Sequence, residues 1–449
     1  MCYQEDVVKR ICNRKCLLGA MMFFCLLFIA NRAGAQYLLV DCSGSTSGAY
    51  SSINYALSAA SNGAYIYVYP GTCYEDVNIT NMSNISIGTW WPGAVVLHGS
   101  FTVNGSNNVF LYGFSITSGY GNGINVYRSS RNVMIDSCSS SSNSGYGANI
   151  NGNSSVYIQG SGNYSSNGNA GIYLSENSTL WLLPWTGGAP ITVNNNAQFG
   201  VNVDQSDLYV YGNTQFENNA GGSANYGGDG IQLIRGSRRL FLALSGDNIV
   251  SGNQYAGILI DSHSEGQLVG GGYLGTSFQN YVQQNGPTGI VVRFGSQLTL
   301  ATAGYITGHS EAGIDVYGNS ELTTNGNNFI QNNPGQAAIR IDGNSQAQLY
   351  NAVISGNGGP GVEILGNSSA VVQTDSITSN SGGPILCDIS AYLTTDLAPP
   401  LLGPGNGCRT PSTPGLHRFH MEPPTFNPPD WHRQKAFEDA FRLSMPKTR

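Results

Sequence analysis

The sequence predicts an all-β chain wound as a parallel solenoid of about 11–13 coils, three short strands to a coil, and three observations carry that reading. Composition is the first. Gly makes up 60 of the 449 residues and only 10% are charged, which leaves too few helix formers for a helical bundle or an ordinary α/β enzyme. Hydrophobic residues make up 40%, so the chain collapses rather than staying disordered. The second observation is a repeat. A Gly followed by an apolar residue recurs from Gly123-Ile124 to Gly361-Val362 at spacings of 23–32 residues, with Ala338 replacing Gly once. Each interval holds three strand-like runs and no helix-length segment, as in Gly313-Ile314-Asp315-Val316, Leu322-Thr323-Thr324 and Asn328-Phe329-Ile330. The third is turn chemistry. Gly-Asn-Ser recurs at 152–154, 318–320, 343–345 and 366–368, and Asn143, Asn167, Asn253, Asn285 and Asn357 each stand four residues before an anchor. Stacked Asn side chains can hydrogen-bond from coil to coil and satisfy turn backbone that no strand ladder reaches. His309 holds the same slot before Gly313 and reads as a structural substitute in that ladder.

Residues 1–35 read as an export signal. Lys9, Arg10, Arg14 and Lys15 precede an apolar run over residues 16–30, and Ala33-Gly34-Ala35 makes a small-x-small cleavage site before Gln36. The run is too short for a comfortable membrane span, so no stable insertion is expected after cleavage. Cleavage leaves Cys42, Cys73, Cys138, Cys387 and Cys408 in an oxidising compartment. Two lie near each end, which suggests Cys42–Cys73 and Cys387–Cys408 with Cys138 a buried thiol. Metal binding is the alternative, although no CxxC or close Cys/His spacing supports it. Residues 409–449 form a Pro-rich, mostly disordered tail in which only 432–444 fits a short amphipathic helix, with Phe437 and Phe441 on its apolar side.

Charge narrows the partners. Residues 36–408 carry seven Arg and no Lys against twenty acidic residues, a balance of −13. That excludes a nucleic-acid binder, which needs a basic surface. Neutral sugars, cations and basic surfaces fit; a polyanionic glycan would need bridging metal ions or a local Arg patch.

The repeats resemble the right-handed parallel β-helix, or pectin-lyase-like, superfamily. Val40-Asp41-Cys42-Ser43-Gly44, the amphipathic run 51–61, and the segment from Ile66 through Pro70-Gly71-Thr72-Cys73 to Val77 are similar to the opening of pectinesterase-like members. The resemblance implies that a strand and a capping helix close the N-terminal end. On it the domain runs over 36–408, with 36–95 as the cap. The superfamily spans lyases, hydrolases, esterases, epimerases and non-enzymatic surface proteins, so the fold does not select an activity. The catalytic motifs of pectinesterases and polygalacturonases are missing. Gly308-His309-Ser310, Arg340-Ile341-Asp342 and Leu259-Ile260-Asp261-Ser262-His263 only approach family motifs, and no catalytic role is transferred.

Counting from the anchors gives two candidate surfaces. Offsets +1 and +3 are apolar and face inward, so +2 and +4 face out. These outward positions bring Asp261, Arg293, Asp315, Arg340, Asp342 and Glu363 onto one face. Such carboxylates could serve a lyase or a glycoside hydrolase; the other reading is a salt-bridge ladder. The Arg neighbours are expected to lower the carboxylate pKa values. The second surface comes from in–out–in triplets in the next strand of each coil. These expose Phe110, Met134, Tyr157, Trp181, Tyr209 and Phe241 as an aromatic stripe for stacking sugar rings, or as a self-stacking ladder. The expected partner is therefore an extracellular or cell-wall polysaccharide, met at the cell surface, in the periplasm or outside the cell. Non-catalytic binding is the first reading and a glycan-cleaving enzyme the alternative. No cofactor is evident; Ca²⁺ would enter with a lyase, and no metal ligands can be assigned.

Overall fold

A computed structural model describes residues 36–221, 227–271, 276–373, 375–396 and 407–409. The leader over 1–35 and the 432–444 segment lie outside the described residues. All pairings between named strands are parallel, and each strand pairs with its counterpart one coil away. The chain winds into a sheet of 15 strands, a sheet of 13 strands, and a third side divided into sheets of 4 and 9 strands. This is a right-handed parallel β-helix, the hand that parallel crossovers take. It has about 15 turns, not 11–13, as the 15-stranded sheet shows. Counting anchors from Gly123 misses the early coils, whose strands Tyr65–Val68, Val77–Thr80 and Ser83–Thr89 pair without a Gly anchor.

The inward column of the anchor strands shows why the chain stacks. Ile290, Ile314, Ile339 and Val362 lie in register on successive coils and are all fully buried. Identical spacing sets apolar side chains ~4.8 Å apart along the axis, so each coil supplies the cover its neighbour needs.

Two polar ladders hold the turns. Asn143, Asn167, Asn196, Asn219, Asn253 and Asn285 pass amide hydrogen bonds of 2.8–3.0 Å from coil to coil. The ladder resumes at Asn333, Asn357 and Asn380. Four of its members escape the four-before-the-anchor pattern or were not counted by it. Asn219 is hidden by the longer stretch before Gly230, and Asn333 stands five residues before Ala338 because Pro334-Gly335-Gln336 lengthens the turn. His309 does sit in the gap, fully buried, as the spacing indicates. The second ladder is built of Ser: Ser178, Ser206, Ser237, Ser264 and Ser296 each accept, through Oγ, the N–H of the equivalent residue one coil earlier at 3.1–3.3 Å. In Gly-Asn-Ser the Asn takes the left-handed conformation (φ 58° at Asn153, 63° at Asn319) and the Ser stacks.

At the N-terminal end, helix Ile53–Ala59 buries Ile53, Ala56 and Leu57 against strands Tyr37–Val40, Tyr65–Val68 and Val77–Thr80. Ser52 caps it, and the Glu75 carboxylate accepts from the N–H groups of Ile53 (2.7 Å) and Asn54 (3.0 Å), where the first-turn donors have no helical partner. The disulfides are Cys42–Cys73 and Cys387–Cys408, and Cys138 is a buried free thiol, as the sequence suggests. Among the described residues no helix is long and apolar enough to cross a membrane.

Candidate functional site

The charged residues do share one face. Strands Thr288–Arg293, Ala312–Tyr317, Ala337–Asp342 and Val362–Ile364 place Val291, Asp315, Arg340 and Glu363 in one outward column. Arg293, Tyr317 and Asp342 form a parallel one. Asp261 follows strand Ala256–Ile260 and receives both Nε and Nη2 of Arg293 at 3.0 and 2.8 Å. Arg293 also donates to the Tyr317 hydroxyl at 3.3 Å. Arg340 lies between two carboxylates, 3.4 Å from Asp342 and 3.8 Å from Glu363. Ion pairing is therefore real on this face, and it occupies both guanidinium groups.

At Asp315 and Glu363 the expected lowering of the carboxylate pKa is reversed. Burial pushes Asp315 up to about 6, outweighing the opposing pull of Arg340 and reinforced by Asp342. One oxygen of Asp315 has no hydrogen-bond partner among the described residues. Glu363 is also raised, by burial first, with Arg340 opposing and Asp342 adding. Beside Asp315 the ground is apolar: Val291 on the preceding coil and Leu259 one coil before it face outward yet are 4% and 2% exposed, packed with Ala256 and Tyr317. Sequence counting treats an outward position as wet, and here it is not. Burial pulls the Arg293 guanidinium down, but its bonds to Tyr317 and Asp261 hold it above its ordinary range.

Three further residues at this face escaped the sequence reading. Asp229 is buried, accepts from the Ala256 N–H at 3.1 Å, and is pushed by burial up to about 7. Tyr255, just before strand Ala256–Ile260, and Phe294, just after strand Thr288–Arg293, are 42% and 52% exposed. Phe294 lies edge-on to Tyr317 at 6.0 Å with the Arg293 guanidinium 5.3 Å from its ring centre. Their signal was weak: both flank the periodic run instead of belonging to it, and Phe294 holds a left-handed φ of 55° that few large residues adopt.

The aromatic stripe needs correction. Phe110 is 1% exposed, buried among Tyr65, Tyr67, Tyr112 and Met134. Phe241 faces the interior: it pairs with inward Val210, while Leu240 takes the place beside Tyr209. The Ser ladder explains the shift. The inward side chain follows the ladder Ser by two positions, as at Leu180 and Leu208, so Ser237 turns Arg239 and Phe241 inward. Tyr157, Trp181 and Tyr209 remain on the outer surface, half-buried. Their rings stack on one another at 4.5 and 5.7 Å with interplanar angles of 11° and 10°. Ring faces paired in this way are not offered to a sugar. A second stack, Tyr281, Tyr305 and Phe329, outside the stripe expected from the sequence, runs along the nine-stranded sheet at 5.4 and 4.8 Å.

Among the described residues no close set of metal ligands forms on the charged face. Among the described residues the one group of ligand atoms near enough to share an ion is Cys42, Cys73 and Glu75, and its two cysteines are joined in a disulfide. A cation on the charged face would take part of its coordination from the glycan or from water.

Among curated proteins nothing matches this chain. Of solved structures, a pectate lyase is similar at 14% identity and a TM-score of 0.42, over 61% of this chain and 76% of its own. A periplasmic alginate epimerase is similar at 12% identity and 0.38, over 74% and 77%. The A-module of an Azotobacter vinelandii mannuronan C-5 epimerase is similar at 13% and 0.33, over 78% and 93%. Residues 245–395, which contain the charged face from Asp261 to Glu363, match the family model described as a right handed beta helix region, the fold that the parallel sheets build.

Proposed function

We propose that the protein is exported and engages a polysaccharide on the face between Asp261 and Glu363, holding it without cleavage. One observation carries this reading. Two columns of polar side chains, Asp315–Arg340–Glu363 and Arg293–Tyr317–Asp342, stand on rigid parallel strands, with exposed Tyr255 just before strand Ala256–Ile260 and exposed Phe294 just after strand Thr288–Arg293. Fixed hydrogen-bonding groups beside aromatic rings are what a sugar chain, polar at its rim and apolar on its ring faces, can use. The carboxylates outnumber the two guanidinium groups, and both of these are already ion-paired, so a neutral glycan suits the face better than a polyuronate. Two disulfides in so charge-poor a chain support an oxidising, extracytoplasmic location.

Affinity electrophoresis against a panel of neutral and acidic polysaccharides tests the proposal. Phe294→Ala and Tyr255→Ala should each weaken retention about tenfold, the equivalent of roughly 1.4 kcal/mol per lost ring contact. Retention unchanged in both variants would remove this face from consideration.

Asp315 favours a second reading, a glycan-cleaving enzyme. A carboxyl group held near pKa 6 keeps a proton close to neutrality and can give it to a leaving oxygen, with Asp342 or Glu363 as the partner carboxylate. New reducing ends or unsaturated products appearing in the same panel, with and without added Ca²⁺, would establish it over binding alone.

A further inference from the structure

Arg239 is the least expected residue in the interior. It lies in an inward column between Leu208 and Gly266, with Leu298 beyond, and is 3% exposed. None of Nε, Nη1 and Nη2 has a hydrogen-bond acceptor among the described residues. Phe241, inward on the same strand, covers one side of the guanidinium at 4.5 Å from its ring centre. On the next coil the column has Gly266, where a Cβ would stand 3.4 Å from Nη2 of Arg239 and 2.5 Å from the Ile260 Cδ1 atom. The Ile260 and Arg239 side chains thus share the space that a side chain at 266 would fill.

Such a group has few physical options. Arg does not surrender its proton under ordinary conditions; burial pulls this one down to about 9, still cationic at neutral pH. A ring face compensates part of a buried charge but accepts none of the in-plane N–H groups. Unpaired buried cations are heavily penalised, and buried donors without protein acceptors point to a bound ion or water.

We infer that Arg239 forms an internal site for a small monovalent anion of the halide class, enclosed in the solenoid between Phe241 and Gly266. One guanidinium balances one negative charge, and in a core where Ile260 Cδ1 and Arg239 already take up the space beside Gly266 a monatomic ion is easier to admit than a sulfate or a carboxylate. The in-plane N–H donors, not the covered ring face, would hold it. This site is separate from the glycan face and does not depend on it.

Two measurements on the full chain test the inference. Crystals grown with bromide in place of chloride should show anomalous density within hydrogen-bond distance of Arg239. Arg239 bonded only to ordered waters would overturn the idea. So would Arg239 on the outer surface, the result of a one-residue slip of its strand. In solution, thermal unfolding at constant ionic strength should give a higher Tm in chloride than in gluconate, which is too large to enter. The difference should vanish in Arg239→Leu, whose side chain continues the Leu208–Leu298 column, and in Arg239→Gln if the first variant does not fold. Equal wild-type Tm values in the two salts, or a chloride effect that survives both substitutions, would refute the site.

Discussion

Replacing His309 by Asn should stabilise the solenoid. At seven steps of the Asn ladder a side-chain oxygen accepts two bonds from the preceding rung, one from its N–H and one from its amide. The step from Asn253 to Asn285 shows both, at 3.2 and 2.8 Å. An imidazole at 309 has no such oxygen to offer Asn285. On its other side His309 gives Asn333 only a backbone bond, at 3.1 Å, without the amide bond made at Asn333 and Asn357. The contact worth keeping is His309 Nε2 to the Val282 carbonyl at 3.1 Å, which Asn would reproduce, as Asn285 does with the Val250 carbonyl at 3.0 Å. Space is no obstacle, because His309 approaches Gly289 as Asn285 approaches Gly257. The substitution restores about three buried hydrogen bonds at roughly 1 kcal/mol each, less some lost packing, for a net gain of about 2 kcal/mol. There is a pH signature as well. Burial lowers the His309 pKa below its unfolded value, so neutral His309 is fully compatible with folding above the unfolded value of 6.5. Stability falls as pH drops through that value and levels off below the folded one. Urea unfolding of both proteins from pH 8 to pH 5 measures both effects. The Asn variant should have the higher midpoint at pH 8 and a smaller loss towards pH 5. A lower midpoint at pH 8, or parallel pH profiles, would show that the imidazole is the better rung.

Asp315→Asn should stabilise the protein above pH 6, by an amount on the order of 2 kcal/mol; the folded pKa is raised, so the wild type loses stability as pH rises from the unfolded value of 3.8 through about 6. Unfolding curves at pH 4 and pH 8 check this, and an equal effect at both would contradict it. Trp181→Ala breaks the ring stack between Tyr157 and Tyr209, so about 2–3 kcal/mol of stability should be lost while glycan retention is unchanged. Weaker retention without a stability change would restore the stripe as the binding surface. Replacing Cys387 and Cys408 together by Ser frees residues 407–409, where Arg409 bridges to Tyr392 on the last strand of the 15-stranded sheet. Size-exclusion chromatography should then show end-to-end association before the far-UV spectrum changes, because an uncovered edge is a template for pairing.

The sequence by itself determined whatever repeats or is local. Inward Ile and Val columns recur at the coil period, so the solenoid, its three-strand coil and the outward position of Asp315, Arg340 and Glu363 followed from counting. Two cysteines lie near each end of the solenoid, which made the Cys42–Cys73 and Cys387–Cys408 pairings legible. The slot of His309 was legible for the same reason: every rung of a stacked ladder must occupy the same place in its coil. Tertiary structure decided what depends on neighbours outside the repeat. Apolar character alone makes Leu240-Phe241-Leu242 an in–out–in triplet with Phe241 outward, whereas the ladder bond at Ser237 fixes the register and turns a charged Arg239 inward, an outcome that hydrophobic patterning avoids by construction. Whether Tyr157, Trp181 and Tyr209 offer their faces or stack them depends on ring tilt, which no spacing encodes. The pKa of Asp315 depends on a balance between an adjacent cation, visible in the sequence, and desolvation beside Leu259 and Val291, which appears only when the coils are packed. Charge pairs can be read along a strand, but the dielectric around them is set by the assembled surface.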